Sequence, residues 1–386
     1  MSQSEKVLKD IMSASPTRIA LSVILGFVIG SIFMVAFNDN VVATYPNLLS
    51  TPGDTFIAAW QTIVDGYSAL FNGSIINLNA DNPVSMFRPI TETLRLGAPL
   101  IMAGLGVALG FRVGLFNVGG TGQLVMGLLG ATWVSTRMEL PWGIHMVLAI
   151  VVAVIFSSAT GALVGYLKAK TGAHEVIVTI MFNYVAINLF TWFLRQPNLL
   201  LEHNGGGNPK SDAPASTALL PGLLGPSFKL HIGVIMALVA AGVYWWLMER
   251  STIGYRFRMV GFNPSAAKAA GVSVERTYIW AMAVSAAFIG LAAANQGLGE
   301  QAGLTASIHA NIGFDAITVA LLGGSRAGGV VVAGLLFGAF KAGSPAMQIM
   351  GVSPEVLGII QALIVLFVAA PPLIRAIFKL PKPEVK

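Results

Sequence analysis

The sequence predicts an all-α, polytopic membrane protein: a helix bundle of about ten spans, some of them broken, with a further amphipathic helix outside. Three observations carry that prediction. Hydrophobic residues fill 55% of the 386 positions and charged residues only 10%, against roughly 25% charged in an ordinary soluble domain. The apolar residues fall into stretches of the length a bilayer core requires, about 20 residues at ~1.5 Å each. Glycine-rich segments interrupt several stretches, and a broken helix is tolerated in a membrane only where protein or a water-filled cavity satisfies the freed backbone groups. A soluble chain of this composition would expose large apolar patches and aggregate.

Charge and cysteine content exclude other classes. The net charge of +6 is spread over short stretches between apolar segments, as orientation signals are, and not gathered on one basic face as nucleic-acid binding requires. With no cysteine there is no disulfide, thiol nucleophile or thiolate metal site. No metal-ligand spacing and no Ser/His/Asp set stands out, so no catalytic or metal-binding residue is assigned.

The spans follow in order. The stretch 19–37 is free of charge, follows Lys6, Lys9 and Arg18, and lacks a small-residue cleavage site, which predicts a retained helix. Further spans are predicted at 89–110, 116–136, 144–167, 174–194, 231–248, 277–296 and 355–375. Two shorter pieces, 314–323 and 329–344, flank the glycine-rich 323–329. The second half is expected to repeat the first structurally, as in many transporters.

Lysine and arginine asymmetry orients the bundle. Residues 38–87 hold Asp39, Asp54, Asp65 and Asp81 with no Lys or Arg, and are expected outside. The loop 249–276 holds Arg250, Arg256, Arg258, Lys268 and Arg276 against Glu249 and Glu275, and is expected in the cytoplasm. Lys168, Lys170 and the tail with Arg375, Lys379, Lys382 and Lys386 fall on the same side; Arg137, Arg195, Lys210 and Lys229 fall outside, against the trend. Both termini are then cytoplasmic, and the chain is expected to form a single integral membrane domain over 1–386 with no separate soluble part.

Outside, Thr51-Pro52 offers a cap and a first-turn proline, and Phe56, Ile57, Trp60, Ile63, Val64, Tyr67, Leu70 and Phe71 recur at helical spacing. That helix is expected to lie along the interface or against the bundle. The stretch 204–226, rich in Gly, Pro, Ser and Asn, reads as a loop.

Several positions hold polar groups a lipid-facing helix does not need. Four glycines and the amides Asn117 and Gln123 occupy 114–123; polar contacts to a solute and close interhelical packing both fit. His174-Glu175 opens a span that also carries Asn183. A membrane-edge carboxylate is a functional candidate, and a helix start also stabilises one without function. Asn295-Gln296, Glu300-Gln301 and Asp315 surround the entry to the short piece 314–323, either as a transport pathway beside half-helices or as an external loop with Asp315 as a cap. In the basic loop, Asn263 caps, Pro264 starts and Gly271 ends a slim helix of Ser265, Ala266, Ala267, Lys268, Ala269 and Ala270. It suits either a groove on a partner or a plain surface turn.

Four motifs add a resemblance. Leu115-Phe116-Asn117-Val118-Gly119-Gly120-Thr121-Gly122-Gln123 resembles the Phe-Asn-Ile-Gly-Ala-Glu-Gly-Gln signature of ABC-importer permeases for nucleosides and simple sugars, a family that includes ribose and branched-chain amino-acid permeases. His174-Glu175-Val176-Ile177 is similar to its Asn-Glu-Val-Ile motif, 254–271 to its cytoplasmic coupling segment, and Gly313-Phe314-Asp315-Ala316-Ile317 through Gly323-Gly324 to its second-half motif. The match covers about 89 to 375. Gly120-Thr121 stands where the family has Ala-Glu, so a carboxylate is missing there, and His174 replaces an Asn.

The resemblance implies a permease subunit of an ATP-driven importer in a bacterial plasma membrane, for nucleosides or alternatively a ribose-like sugar. It implies a substrate path at Asn117, Gln123, Glu175, Asn183 and Asp315, and ATPase coupling through Arg258, Gly261, Asn263, Pro264, Ala266, Ala267, Ala270 and Gly271. Implied partners are ABC ATPase subunits that carry ATP-Mg, a second homologous permease, an extracytoplasmic solute-binding protein or lipoprotein, and membrane lipid. No Gly-x-x-x-x-Gly-Lys-Ser/Thr occurs, so this chain lacks the loop that cradles nucleotide phosphates and is expected to carry no cofactor. The rival from another class is an ion-coupled secondary transporter working alone, for which Glu175, Asp315, His145 and Lys341 are few titratable groups, mostly near span ends.

Overall fold

The structure is a computed structural model and describes residues 15–196, 199–201, 209–299 and 302–378. Every regular element among them is helical, and extended backbone pairs only at isolated bridges such as Lys210 with Thr305. Glu300 and Gln301, the start of the 204–226 loop, Lys6, Lys9 and the terminal lysines lie outside the described residues.

The helices are α1 (Ser15–Ala36), α2 (Pro52–Ser74), α3 (Pro83–Arg112), α4 (Gly120–Arg137), α5 (Ile144–Thr171), α6 (Glu175–Phe193) and α7 (Gly233–Trp245, extended as a π-turn over Trp246–Arg250). There follow α8 (Thr252–Phe262), α9 (Pro264–Ala269), α10 (Val274–Leu298), α11 (Ile312–Leu322), α12 (Ala327–Ile349), α13 (Pro354–Ala369) and α14 (Pro371–Phe378). Each stretch predicted to span is largely helical, with 355–375 divided between α13 and α14. Seven helices are long and apolar enough to cross a membrane, or eight if the bent pair α13–α14 counts as one span.

The shortfall from ten has physical causes. α4 is 18 residues long and rich in glycine, and most of it is buried against other helices, so it does not need the side chains that lipid contact demands. α11 has only 11 residues. The predicted stretch 355–375 stops at Ala369, because Pro371 and Pro372 cannot continue the backbone ladder; the chain bends by 89° there.

The helices form two compact units. One holds residues 1–93 and 339–386, the other 94–338. In the first unit α2 turns its small residues inward. Gly66 and Ala69 are buried, with Thr62 and Leu70, while Phe56 is 73% and Trp60 67% exposed. Phe56, Ile57 and Trp60 therefore face away from the unit, as large apolar residues do on a helix that meets lipid or a partner. Thr51 makes no side-chain capping bond, which corrects the expected cap; Pro52 holds the first-turn position.

In the second unit α4 is enclosed by α5, α6 and α10. α5 crosses α10 at small residues: a Cβ on Gly161 would sit 2.3 Å from the Met282 carbonyl oxygen. His145 is fully buried, with ring nitrogens 2.8 Å from Thr217 Oγ1 and 3.0 Å from the Val134 carbonyl oxygen. It joins the start of α5 to the end of α4. Arg137, on the side expected to lack positive charge, is likewise held: Nε donates to the Leu199 carbonyl (2.7 Å), Nη2 to that of Leu201 (3.0 Å), and Nη1 lies 3.2 Å from Asp212.

Candidate functional site

The first glycine-rich break lies between α3 and α4. Gly114 adopts φ +76°, and the chain runs irregularly to Gly120. A break frees backbone N–H and C=O groups that need partners in a water-poor interior. Asn117 supplies one of them, and Gln123 holds Asn117 in place. Both are buried, at 0% and 1% exposure, and they bond each other. Asn117 Nδ2 donates to Gln123 Oε1 and to Ser285 Oγ of α10, each at 3.0 Å. Asn117 Oδ1 accepts from the Gly119 N–H (3.0 Å) and from Gln123 Nε2 (3.3 Å). Ser285 Oγ in turn donates to the Gly106 carbonyl of α3 at 2.7 Å. The network ties three helices around the break.

α6 supplies the second set. Asn183 Oδ1 accepts the Gly122 N–H at 2.7 Å, and its Nδ2 donates to the Val118 carbonyl at 3.0 Å. At the start of α6, Glu175 is buried, with Oε2 2.6 Å from Lys168 Nζ and Oε1 accepting the Phe116 N–H at 3.4 Å. The carboxylate is thus a partner of the last turn of α5 and of the break, beyond its place at a helix start.

The second break meets the first. Ala310 (φ 42°) and Asn311 (φ 59°) turn the chain into α11. A Cβ on Gly313 would lie 2.1 Å from the Thr121 backbone N, and one on Gly120 2.9 Å from the Gly313 carbonyl oxygen, so only glycine allows the two helix starts to touch. Asp315 is half-buried in the first turn of α11; Asn311 holds the cap position, so Asp315 is not a cap. The Thr121 hydroxyl is buried at this junction with no hydrogen-bond partner. Gln296 Nε2 reaches the Ile308 carbonyl at 3.5 Å, and Asn295 is buried with Nδ2 unpartnered. Among the described residues no cluster of His, Asp and Glu could hold a metal ion.

The basic loop folds as the sequence predicts. Asn263 Oδ1 accepts the Ala266 N–H at 3.0 Å, Pro264 starts α9, and Gly271 leaves it at φ +82°. Ala267 is 1% exposed and packs against the chain itself, whereas Ala266, Lys268 and Ala270 are exposed. A Cβ on Gly261 would lie 2.3 Å from the Arg112 carbonyl oxygen, which seats the end of α8 on the end of α3. Arg258 lies 3.9 Å from Glu249, which also pairs with Arg112 at 2.9 Å.

Ser285, Lys168 and Thr121 were missed as site residues on sequence reasoning. Ser285 is a lone hydroxyl in an apolar run, 168 positions from its partner Asn117, and no local pattern reveals such a pair. Lys168 reads as an orientation charge, yet its seven-residue separation from Glu175 across a glycine turn was a usable signal.

These features fall within a match to known proteins. The family model described as branched-chain amino acid transport system / permease component matches residues 90–369, about three quarters of the chain. The chain belongs to this family. It is a multi-pass membrane permease with a role in transport. This permease is 40% identical to the guanosine ABC transporter permease protein NupP of Bacillus subtilis (strain 168), across 83% of this chain and 89% of that protein. It is 31% identical to the nucleoside ABC transporter permease protein NupB of Lactococcus lactis subsp. cremoris, across 90% of this chain and 89% of the relative. A glucose ABC transporter permease protein, TsgB13 of Haloferax volcanii, is also 31% identical, across 84% and 85%. No solved structure matches the chain.

Proposed function

We propose that this permease is the membrane subunit of an ATP-driven nucleoside importer. The observation that carries the reading is the 40% identity to a guanosine permease over nearly the whole of both chains. The solute path runs beside the paired helix starts of α4 and α11. Asn183 and Asp315 border it, Asn117, Gln123 and Glu175 hold its walls, and the Thr121 hydroxyl is a free group at its edge. Nucleosides offer ribose hydroxyls and base edges to such groups. The whole chain works as one permease domain in a bacterial plasma membrane, with both termini and 249–276 in the cytoplasm and 38–88 outside.

The engine is elsewhere. ABC ATPase subunits carrying ATP-Mg engage the loop from Arg258 to Gly271, a second homologous permease completes the pathway, and an extracytoplasmic binding protein or lipoprotein delivers solute. ATP binding then favours one of two bundle states through differential contacts at α9. A sugar is the second reading, favoured by the likeness to the glucose permease.

Uptake of labelled guanosine, other nucleosides and glucose in cells with and without this chain tests the reading. Nucleoside uptake that falls on deletion and returns on complementation is expected; unchanged nucleoside uptake with lost glucose uptake establishes the sugar reading instead.

A further inference from the structure

At the end of the second unit that carries the basic loop lies a pocket of about 720 Å³ outside the helix-start junction. Arg112, Arg258 and Arg326 line it with a single carboxylate, Glu249. That carboxylate is shared, at 2.9 Å from Arg112 and 3.9 Å from Arg258, and the Arg258 Nη1 is buried with no hydrogen-bond partner. Arg326 is exposed and has no side-chain partner among the described residues. Three guanidinium groups thus converge with one counter-charge. The start of α12 supplies Ala327 and Gly328 to the same wall, and a Cβ on Gly328 would meet nothing within 4 Å. The positive end of a 23-residue helix therefore opens into the pocket.

The rim is apolar. Trp245 and Phe262 line the pocket at 49% and 90% exposure. A soluble anion needs the arginines but has no use for exposed aromatic side chains such as Phe262 beside them; a phospholipid uses both, its phosphate on the guanidinium forks and its acyl chains along the exposed ring surface. We propose that this pocket binds the headgroup of an anionic phospholipid of the cytoplasmic leaflet, on a wall that shares Arg258, Gly261 and Phe262 with the loop proposed to meet the ATPase. The leaflet assignment rests on the topology above; the binding itself does not.

Native mass spectrometry of the full-length chain in detergent tests this, with added phosphatidylglycerol, phosphatidylcholine or inorganic phosphate. Wild type retains phosphatidylglycerol about tenfold better than phosphatidylcholine, a difference of the size expected when paired guanidinium–phosphate contacts gain a net anionic charge. Arg326→Ala, at an exposed unpartnered side chain, and Arg258→Ala each remove most of that preference. Glu249→Gln raises retention, an effect in the opposite direction to misfolding. Arg276→Ala, an exposed cation on α10 outside the pocket, leaves it unchanged. Equal retention of both lipids, an equal loss in Arg276→Ala, or displacement of phosphatidylglycerol by inorganic phosphate overturns the proposal, the last by showing a soluble-anion site. None of these readouts depends on which solute is carried, so the lipid site and the nucleoside reading fail separately.

Discussion

Asn183 holds the start of α4 from the side: its amide oxygen accepts the Gly122 N–H at 2.7 Å. The same amide donates to the Val118 carbonyl at 3.0 Å, so one side chain of α6 satisfies a carbonyl of the break and an N–H of the first turn of α4. Asn183→Leu leaves two buried backbone groups without partners, at about 1–3 kcal/mol each. The unfolding temperature of the purified chain should fall and uptake with it. Equal unfolding temperatures for wild type and Asn183→Leu would show that the bonds contribute nothing.

Thr121 separates structure from transport. Its hydroxyl is buried without a partner, and satisfying no one inside the chain it stabilises nothing. Thr121→Val, close in shape, should leave stability unchanged or raise it by up to about 1 kcal/mol. If the hydroxyl borders the solute path, uptake of labelled nucleoside falls in the same variant. Full uptake would remove Thr121 from the path.

Glu175 and Lys168 form a largely enclosed ion pair at 2.6 Å. Removing either partner leaves a charge poorly solvated, and Glu175→Gln or Lys168→Met should each destabilise the chain. The double variant should lose less than the sum of the two, with a coupling of about 0.5–3 kcal/mol in thermal or denaturant unfolding. Strict additivity would show that the pair is only an arrangement of side chains.

The two alanines of α9 should respond differently to enlargement. Ala267→Trp overpacks the chain itself, a cost of typically ~1–3 kcal/mol, and should lower yield or stability without any partner present. Ala270→Trp sits on an exposed position, where substitutions usually stay within ~0.5 kcal/mol, so the chain should fold normally. It should nevertheless fail to co-purify with its ATPase or lose substrate-stimulated hydrolysis. Normal assembly and stimulation in Ala270→Trp would return α9 to a surface turn.

Orientation can be read directly because the chain has no cysteine of its own. Asp65 and Ser265 are both exposed, so single cysteines there should be accessible to an impermeant thiol reagent. Asp65→Cys should label in intact cells and Ser265→Cys only after permeabilisation. The reverse pattern would invert the bundle.

Helix positions were legible because lipid as solvent demands long apolar runs, and a run such as 144–167 declares itself within its own residues. The cap at Asn263 and the exit at Gly271 were legible for the same reason: capping is a local matter of a few neighbouring backbone groups. Which way a helix faces was not. The periodicity of α2 showed one apolar face but could not say that Phe56 and Trp60 point away from the unit while Gly66 and Ala69 turn inward. By length and composition alone seven or eight helices qualify as spans, since α4 is enclosed by protein and its composition follows packing demands instead of lipid ones. Tertiary structure alone decided the meeting of Gly120 with Gly313 and the bond from Asn117 to Ser285. Those contacts join residues well over a hundred positions apart, and the steric limit that makes a glycine obligatory exists only once a second backbone has arrived beside it.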